Sequence, residues 1–189
     1  MKVRQFSIIV AVLSAGVAAQ AAGMAGDQNW DSRFGLAPGF DGRVRALAAV
    51  GTNLYVAGDF TRIGDLGVSR VARWDGTQWY ALGSGIEGLF PSVRCLASDG
   101  TNLFAGGSFF SAGGIAATNI ARWDGQAWAG LGDGLGWEGG WGGVASLAVR
   151  NSKLYVGGTF NVVGGLAATN IAVWDGVQWA ALGDGLQGL

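Results

Sequence analysis

One pattern is written three times along this chain: WDGTQWYALGSGI from Trp74, WDGQAWAGLGDGL from Trp123 and WDGVQWAALGDGL from Trp174. The first Trp recurs after 49 and then 51 residues, and the second, at Trp79, Trp128 and Trp179, keeps the same steps. A period near fifty points to a propeller or solenoid array, in which one unit cannot bury its own faces and must stack on a neighbour. Upstream of each Trp pair, NLYVAGDF from Asn53, NLFAGGSF from Asn102 and KLYVGGTF from Lys153 align without gaps, so the repeat covers whole units. Length varies only in the junctions, such as 87–92 and 136–143, as loops vary around a fixed frame.

Each unit offers four short strand candidates separated by turn signals, and no segment holds a 3.6-residue period. In the third unit they are 144–149, 154–160, 170–174 and 178–182, called A to D. Strand B alternates, with Leu154, Val156, Gly158 and Phe160 on one face and Tyr155, Gly157 and Thr159 on the other, and both faces carry apolar groups. Strand A is built from small apolar residues (Ala46, Ala48, Ala49; Ala145, Ala148), which suits an inner strand covered on both sides. Gly at the end of strand B leaves room for a neighbouring backbone or ring.

Asp75-Gly76, Asp124-Gly125 and Asp175-Gly176 read as two-residue hairpins of type I′. That register pairs Trp74 with Thr77 and Ala72 with Trp79, making the two Trp of a unit diagonal neighbours on one face. A buried Trp removes about 150–250 Å² from water, about 4–6 kcal/mol before entropy and cavity terms. The six repeat Trp are therefore expected to act as wedges between blades and the three Asp as turn formers.

The expected fold is all-β: three four-stranded antiparallel blades of about 50 residues plus an extra N-terminal strand. The domain reading is a signal peptide at 1–21, a partial repeat at 22–43, and blades at 44–92, 93–143 and 144–189. Lys2 and Arg4, an apolar stretch over 6–18 and the small-x-small run Ala19-Gln20-Ala21 make up the export signal. It implies a secreted, periplasmic or cell-surface protein, with no transmembrane segment after cleavage. The mature chain would carry ten basic against thirteen acidic residues, which does not favour nucleic acid. Cys95 is the single cysteine and stands where the other units have Ala46 and Ser146, as a small core residue would.

The glycine pairs Gly106-Gly107 and Gly157-Gly158, each followed by an aromatic pair about twenty residues on, resemble a kelch-type β-propeller repeat. NIARWDGQAW from Asn119 and YVGGTF from Tyr155 are similar to repeats of bacterial secreted kelch-like proteins and of fungal cortical cell-polarity markers. The resemblance runs from Trp30 to the last residue. Ala57-Gly58 replaces the glycine pair in the first unit, and the aromatic pair is Trp with Trp, five apart. The resemblance implies the propeller fold, not membership in the standard kelch group.

Propellers carry four to eight blades, and three leave faces uncovered. The stretch 27–42 resembles strand D and the junction of a preceding unit, and the chain stops where a fourth strand A would begin. Three readings follow: a segment of a longer array, two chains closing a six-bladed ring as a homodimer, and an open stack capped by its first strand.

Hairpin reversal puts the A–B and C–D turns on one rim and the B–C and D–A connections on the other. The first is expected to be tight, and the second to carry loops at 61–69, 87–92, 111–118 and 136–143, where function belongs. Trp137 and Trp141 lie there outside the repeat register, with Glu138 between them, and Phe90 holds the equivalent junction near Glu87. These residues form the candidate ligand site, for a protein or a glycan. Their alternative role is to plug a channel or cover a blade. The chain has no His, which removes His-based acid–base chemistry and the usual transition-metal sites. No catalytic residue, metal or cofactor is expected. A glycosidase would need a carboxylate pair, and no spacing singles one out among Asp65, Glu87, Asp133, Glu138 and Asp184. The expected function is a secreted, non-catalytic interaction or scaffold module. The alternatives are a carbohydrate-binding module using Trp137 and Trp141, and a glycosidase-like enzyme using Glu87 or Glu138.

Overall fold

The computed structural model describes residues 39–136 and 142–183. The first unit runs through β1 (Val44–Val50), β2 (Asn53–Gly58), the short β3 (Arg62–Ile63) and β4 (Leu66–Gly67), β5 (Val71–Trp74), β6 (Trp79–Ala81) and β7 (Ile86–Glu87). The second repeats it as β8 (Ser92–Ser98), β9 (Leu103–Ser108), β10 (Ser111–Ala112), β11 (Ile115–Ala116), β12 (Ile120–Trp123), β13 (Trp128–Gly130) and β14 (Leu135–Gly136). The third continues as β15 (Gly143–Arg150), β16 (Lys153–Thr159), β17 (Val162–Val163), β18 (Leu166–Ala167), β19 (Ile171–Trp174) and β20 (Trp179–Ala181). Three antiparallel sheets result, in the orders β1-β2-β5-β6, β8-β9-β12-β13 and β15-β16-β19-β20, as in propeller blades. Their first strands converge, β1 toward β8 and β8 toward β15.

The cores lie between blades. Tyr55, Val71 and Leu82 of the first blade pack with Leu103, Trp123 and Trp128 of the second. Phe104, Ile120 and Leu131 of the second pack in the same way with Leu154, Phe160 and Trp179 of the third. Burial at one repeat position follows the neighbour: Leu82 and Leu131 are each 2% exposed, whereas Leu182 is 40% exposed. Stacking, not the unit's own sequence, supplies the core.

Two expectations need correcting. The WDG turns are four-residue loops, because Trp74 pairs with Trp79, Trp123 with Trp128 and Trp174 with Trp179. A type I′ turn needs positive φ at both central residues, yet only the glycines have it, with φ of 102°, 102° and 105° at Gly76, Gly125 and Gly176. The Asp carboxylates instead hold the loop from inside, Asp124 Oδ1 accepting the amides of Gln126 and Ala127 at 2.8 Å. The paired Trp are thus directly opposed, with ring centroids 5.2–5.4 Å apart. The true two-residue turn with positive φ at both positions is Asn151-Ser152, between β15 and β16.

The second correction is that the stretches 61–69 and 111–118, expected as loops, contain the hairpins β3–β4 and β10–β11; β17–β18 is their counterpart in the third unit. Each hairpin pairs with the junction of the unit before it: Ile86 with Ala112, Leu135 with Val163, and Phe40 with Ile63. A two-residue strand has too little periodicity to be seen in sequence.

The glycines closing the second strand have two separate causes. A Cβ on Gly58, Gly107 or Gly158 would lie 1.9–2.2 Å from the carbonyl oxygen of Arg43, Ser92 or Gly143, where the first strand bulges. A Cβ on the residue before would meet side chains: at Gly106, Val144 Cγ1 of the next blade at 2.5 Å and the partner strand's Cys95 Sγ at 2.8 Å, and at Gly157 the partner strand's Ser146 Oγ at 2.7 Å. In the first unit the partner is only Ala46, and Ala57 fits. The departure of the first unit from the glycine pair is a change of size across one strand pair.

Candidate functional site

The rim of junctions and short hairpins is built by stitches between units. The indole Nε1 of Trp128 donates to Leu82 O and that of Trp179 to Leu131 O, each at 2.8 Å. These bonds fix the repeat Trp as wedges against the preceding blade and satisfy the buried N–H. Asn119 ties the same rim together from inside: its Oδ1 accepts the Phe109 amide at 3.1 Å and its Nδ2 donates to Leu135 O at 2.8 Å. It has φ of 63°, as does Asn170 at the equivalent position. Asn is one of the few residues that enters this left-handed region at low cost.

In the first unit that position is Arg70, with φ of 64°. Its Nε donates to Pro91 O at 3.3 Å. Nearby, Arg45 grips Asp59 with contacts of 2.7–2.8 Å, and Ser92 Oγ donates to the same carboxylate at 2.7 Å. The Arg45 guanidinium bonded to Asp59 holds that carboxyl below its ordinary range, with help from the Ser92 hydroxyl. Arg45, Asp59, Arg70, Arg94, Phe90 and Pro91 wall a cleft of about 510 Å³. A wider groove of about 740 Å³ adjoins it, sharing Leu89, Phe90 and Arg94 and reaching Ser108, Phe109, Phe110, Gly136 and Gly142. The opposite rim carries a smaller cleft of about 110 Å³ between the turns of the second and third units.

Phe90 therefore stands on the wall common to both grooves, 81% exposed, with Leu89 beside it 64% exposed. Trp137, Glu138 and Trp141 lie outside the described residues; the flanking Gly136 and Gly142 line the wider groove. Glu87 is in β7, opposite Ser111 of β10, and its backbone carbonyl accepts the Phe110 amide. Cys95 is half-buried, and burial pushes its thiol up to about 12, so it stays protonated and unreactive at neutral pH. Asp75, Asp124 and Asp175 sit on the tight-turn rim, each accepting the amides two and three residues on. Among the described residues no group of three or more His, Cys, Asp or Glu is placed to hold a metal ion, and no helix is long and apolar enough to cross a membrane.

The arginines and Leu89 were missed by sequence reasoning that looked for unusual aromatic residues. The signal was present as departures from the repeat at Arg70 against Asn119 and Asn170 and at Asp59 against Ser108 and Thr159, and as an Arg shared by the first two units, Arg45 and Arg94, where the third has Ala145. No protein-family model and no curated protein matches the chain.

Proposed function

We propose that the chain is a secreted, non-catalytic interaction module of kelch-like propeller repeats, and that it binds through the rim of junctions and short hairpins. The observation carrying this reading is the placement of Phe90 and Leu89, largely exposed on a wall shared by two adjoining grooves. Exposed apolar side chains beside a concavity are what a recognition surface supplies. The glycine-and-tryptophan grammar supports the kelch-like assignment, and the basic, apolar and small-residue order of 1–21 supports export. The absence of His and the use of carboxylates as turn anchors and in an ion pair support binding without chemistry.

A carbohydrate-binding role for Trp137 and Trp141 is the second reading, favoured by the position of Gly136 and Gly142 on the groove wall. The test is to screen the full chain against random peptides and a glycan array, with Leu89→Ser/Phe90→Ser beside it. Ligands that bind the native rim and are lost by the double variant, without change in thermal unfolding, are expected. Ligands indifferent to that variant would sink the assignment of the rim. Glycosidic hydrolysis abolished by Glu87→Gln would overturn the non-catalytic reading.

A further inference from the structure

The two grooves differ from a saccharide site in one respect that identifies a ligand class. Sugars are recognised by several side-chain donors and acceptors free to meet hydroxyls, and here two of the four polar side chains lining the wider groove, Asn119 and Ser108, are already engaged, which leaves Thr118 and Arg94. Asn119 uses both ends of its amide on Phe109 and Leu135, and Ser108 Oγ donates to Gly142 O at 3.4 Å. What the wall offers is apolar surface from Leu89, Phe90 and Phe110 together with the guanidinium of Arg94. Arg94 makes no ion pair or hydrogen bond among the described residues, whereas Arg45 is held by Asp59.

The adjoining cleft sets three guanidinium groups, Arg45, Arg70 and Arg94, against the single carboxylate of Asp59. This local excess of positive charge lies on a chain whose formal net charge is −1. Arg70 occupies a left-handed backbone position that the other two units give to Asn. Its Nε is used inside the fold on Pro91 O, as Asn119 uses Nδ2 on Leu135 O, but unlike Asn it also brings a positive charge to the cleft wall.

We propose that this cleft binds a peptide segment in which an apolar side chain is flanked by a carboxylate. The apolar group packs on Leu89, Phe90 and Phe110, and the carboxylate accepts hydrogen bonds from Arg94, with Arg70 and Arg45 adding a favourable field. The inference rests on the rim being the binding face and names what it takes.

The experiment is selection of random displayed peptides on the immobilised full chain, followed by binding isotherms of the selected peptide. Enriched peptides are expected to place Asp or Glu within two residues of Phe, Leu, Ile or Val. Replacing that acid by its amide, or making Arg94→Gln in the protein, is expected to weaken binding about tenfold or more, with a further fall as salt is raised. Arg94→Gln should melt with the native protein, since its side chain has no hydrogen bond or ion pair to lose among the described residues. Enriched peptides without acidic residues, or full affinity in Arg94→Gln, would overturn the proposal. Neutral peptides lost in Leu89→Ser/Phe90→Ser would overturn it while leaving the rim as the binding face. Glycan binding in place of peptide binding would overturn it too, and no rim-dependent ligand of either class would remove both readings.

Discussion

The two rims are made by the same three units, yet they are built by opposite rules. On the tight-turn rim the WDG loops match in sequence and in bonding, each Asp accepting the amides two and three residues on. On the other rim the stitches repeat but the side chains around them do not: Asn119 and Asn170 give way to Arg70, and Arg45 and Arg94 to Ala145. A repeated residue serves a contact that every blade needs. A residue that breaks the repeat on a grooved surface is not required by every blade, and under the proposed function it is there for the ligand.

The sharpest way to break this comparison is to attack what all blades share. Gly107→Ala puts a Cβ 2.0 Å from Ser92 O, a backbone atom that cannot turn aside. We expect about 3 kcal/mol of destabilisation in chemical denaturation. A loss below about 1 kcal/mol would mean the bulge is not a fixed element of the blade. Next is Asn119→Ala, which leaves the Phe109 amide and Leu135 carbonyl without their partner and puts Ala at positive φ. A cost of about 2 kcal/mol is expected, and hydrogen exchange should show it at the junction of the second and third units.

Arg70→Asn moves in the other direction, restoring the residue the other units use. It should raise stability by about 1 kcal/mol through relief of the left-handed strain while weakening ligand binding. Stability unchanged and binding intact would remove Arg70 from the site.

A smaller effect follows from the turn carboxylates. Asp124 and Asp175 have folded pKa values lowered by the backbone amides they accept, so the unfolded chain binds protons more readily than the folded one. Their stabilising contribution is complete above the ordinary value of 3.8 and is lost as pH falls from there through the lowered folded values. Asp124→Ala should therefore lower Tm at neutral pH and flatten its decline in acid; parallel Tm-against-pH curves would contradict the role. Smallest of all is Phe90→Ser, with unfolding free energy within about 0.5 kcal/mol of native and a clear loss of ligand affinity.

Much of the blade was legible beforehand because each of its signals is long or repeated. Alternation in the second strand, the Trp spacing and the Gly-bearing turns placed the four main strands of the third unit within a few residues of β15, β16, β19 and β20. The turn register was misread because Asp-Gly satisfies two loop lengths, and the choice was made by the Asp carboxylate reaching the amides two and three residues on. The hairpins β3–β4, β10–β11 and β17–β18 were invisible for a different reason. Their partners are two-residue junction segments of the preceding unit, so pairing depends on stacking that no local window contains. Of the site, Phe90 was recognisable as an aromatic residue out of register. The arginines were hidden among ordinary surface charges until the grooves gathered them.

The most direct measurement is amide hydrogen exchange on the full chain with and without a selected rim ligand. Slower exchange over residues 87–94 and 108–110, with no change over 75–78, 124–127 and 175–178, is the predicted result. Protection concentrated in those turns instead would place recognition on the repeated rim and contradict the division of labour between the two.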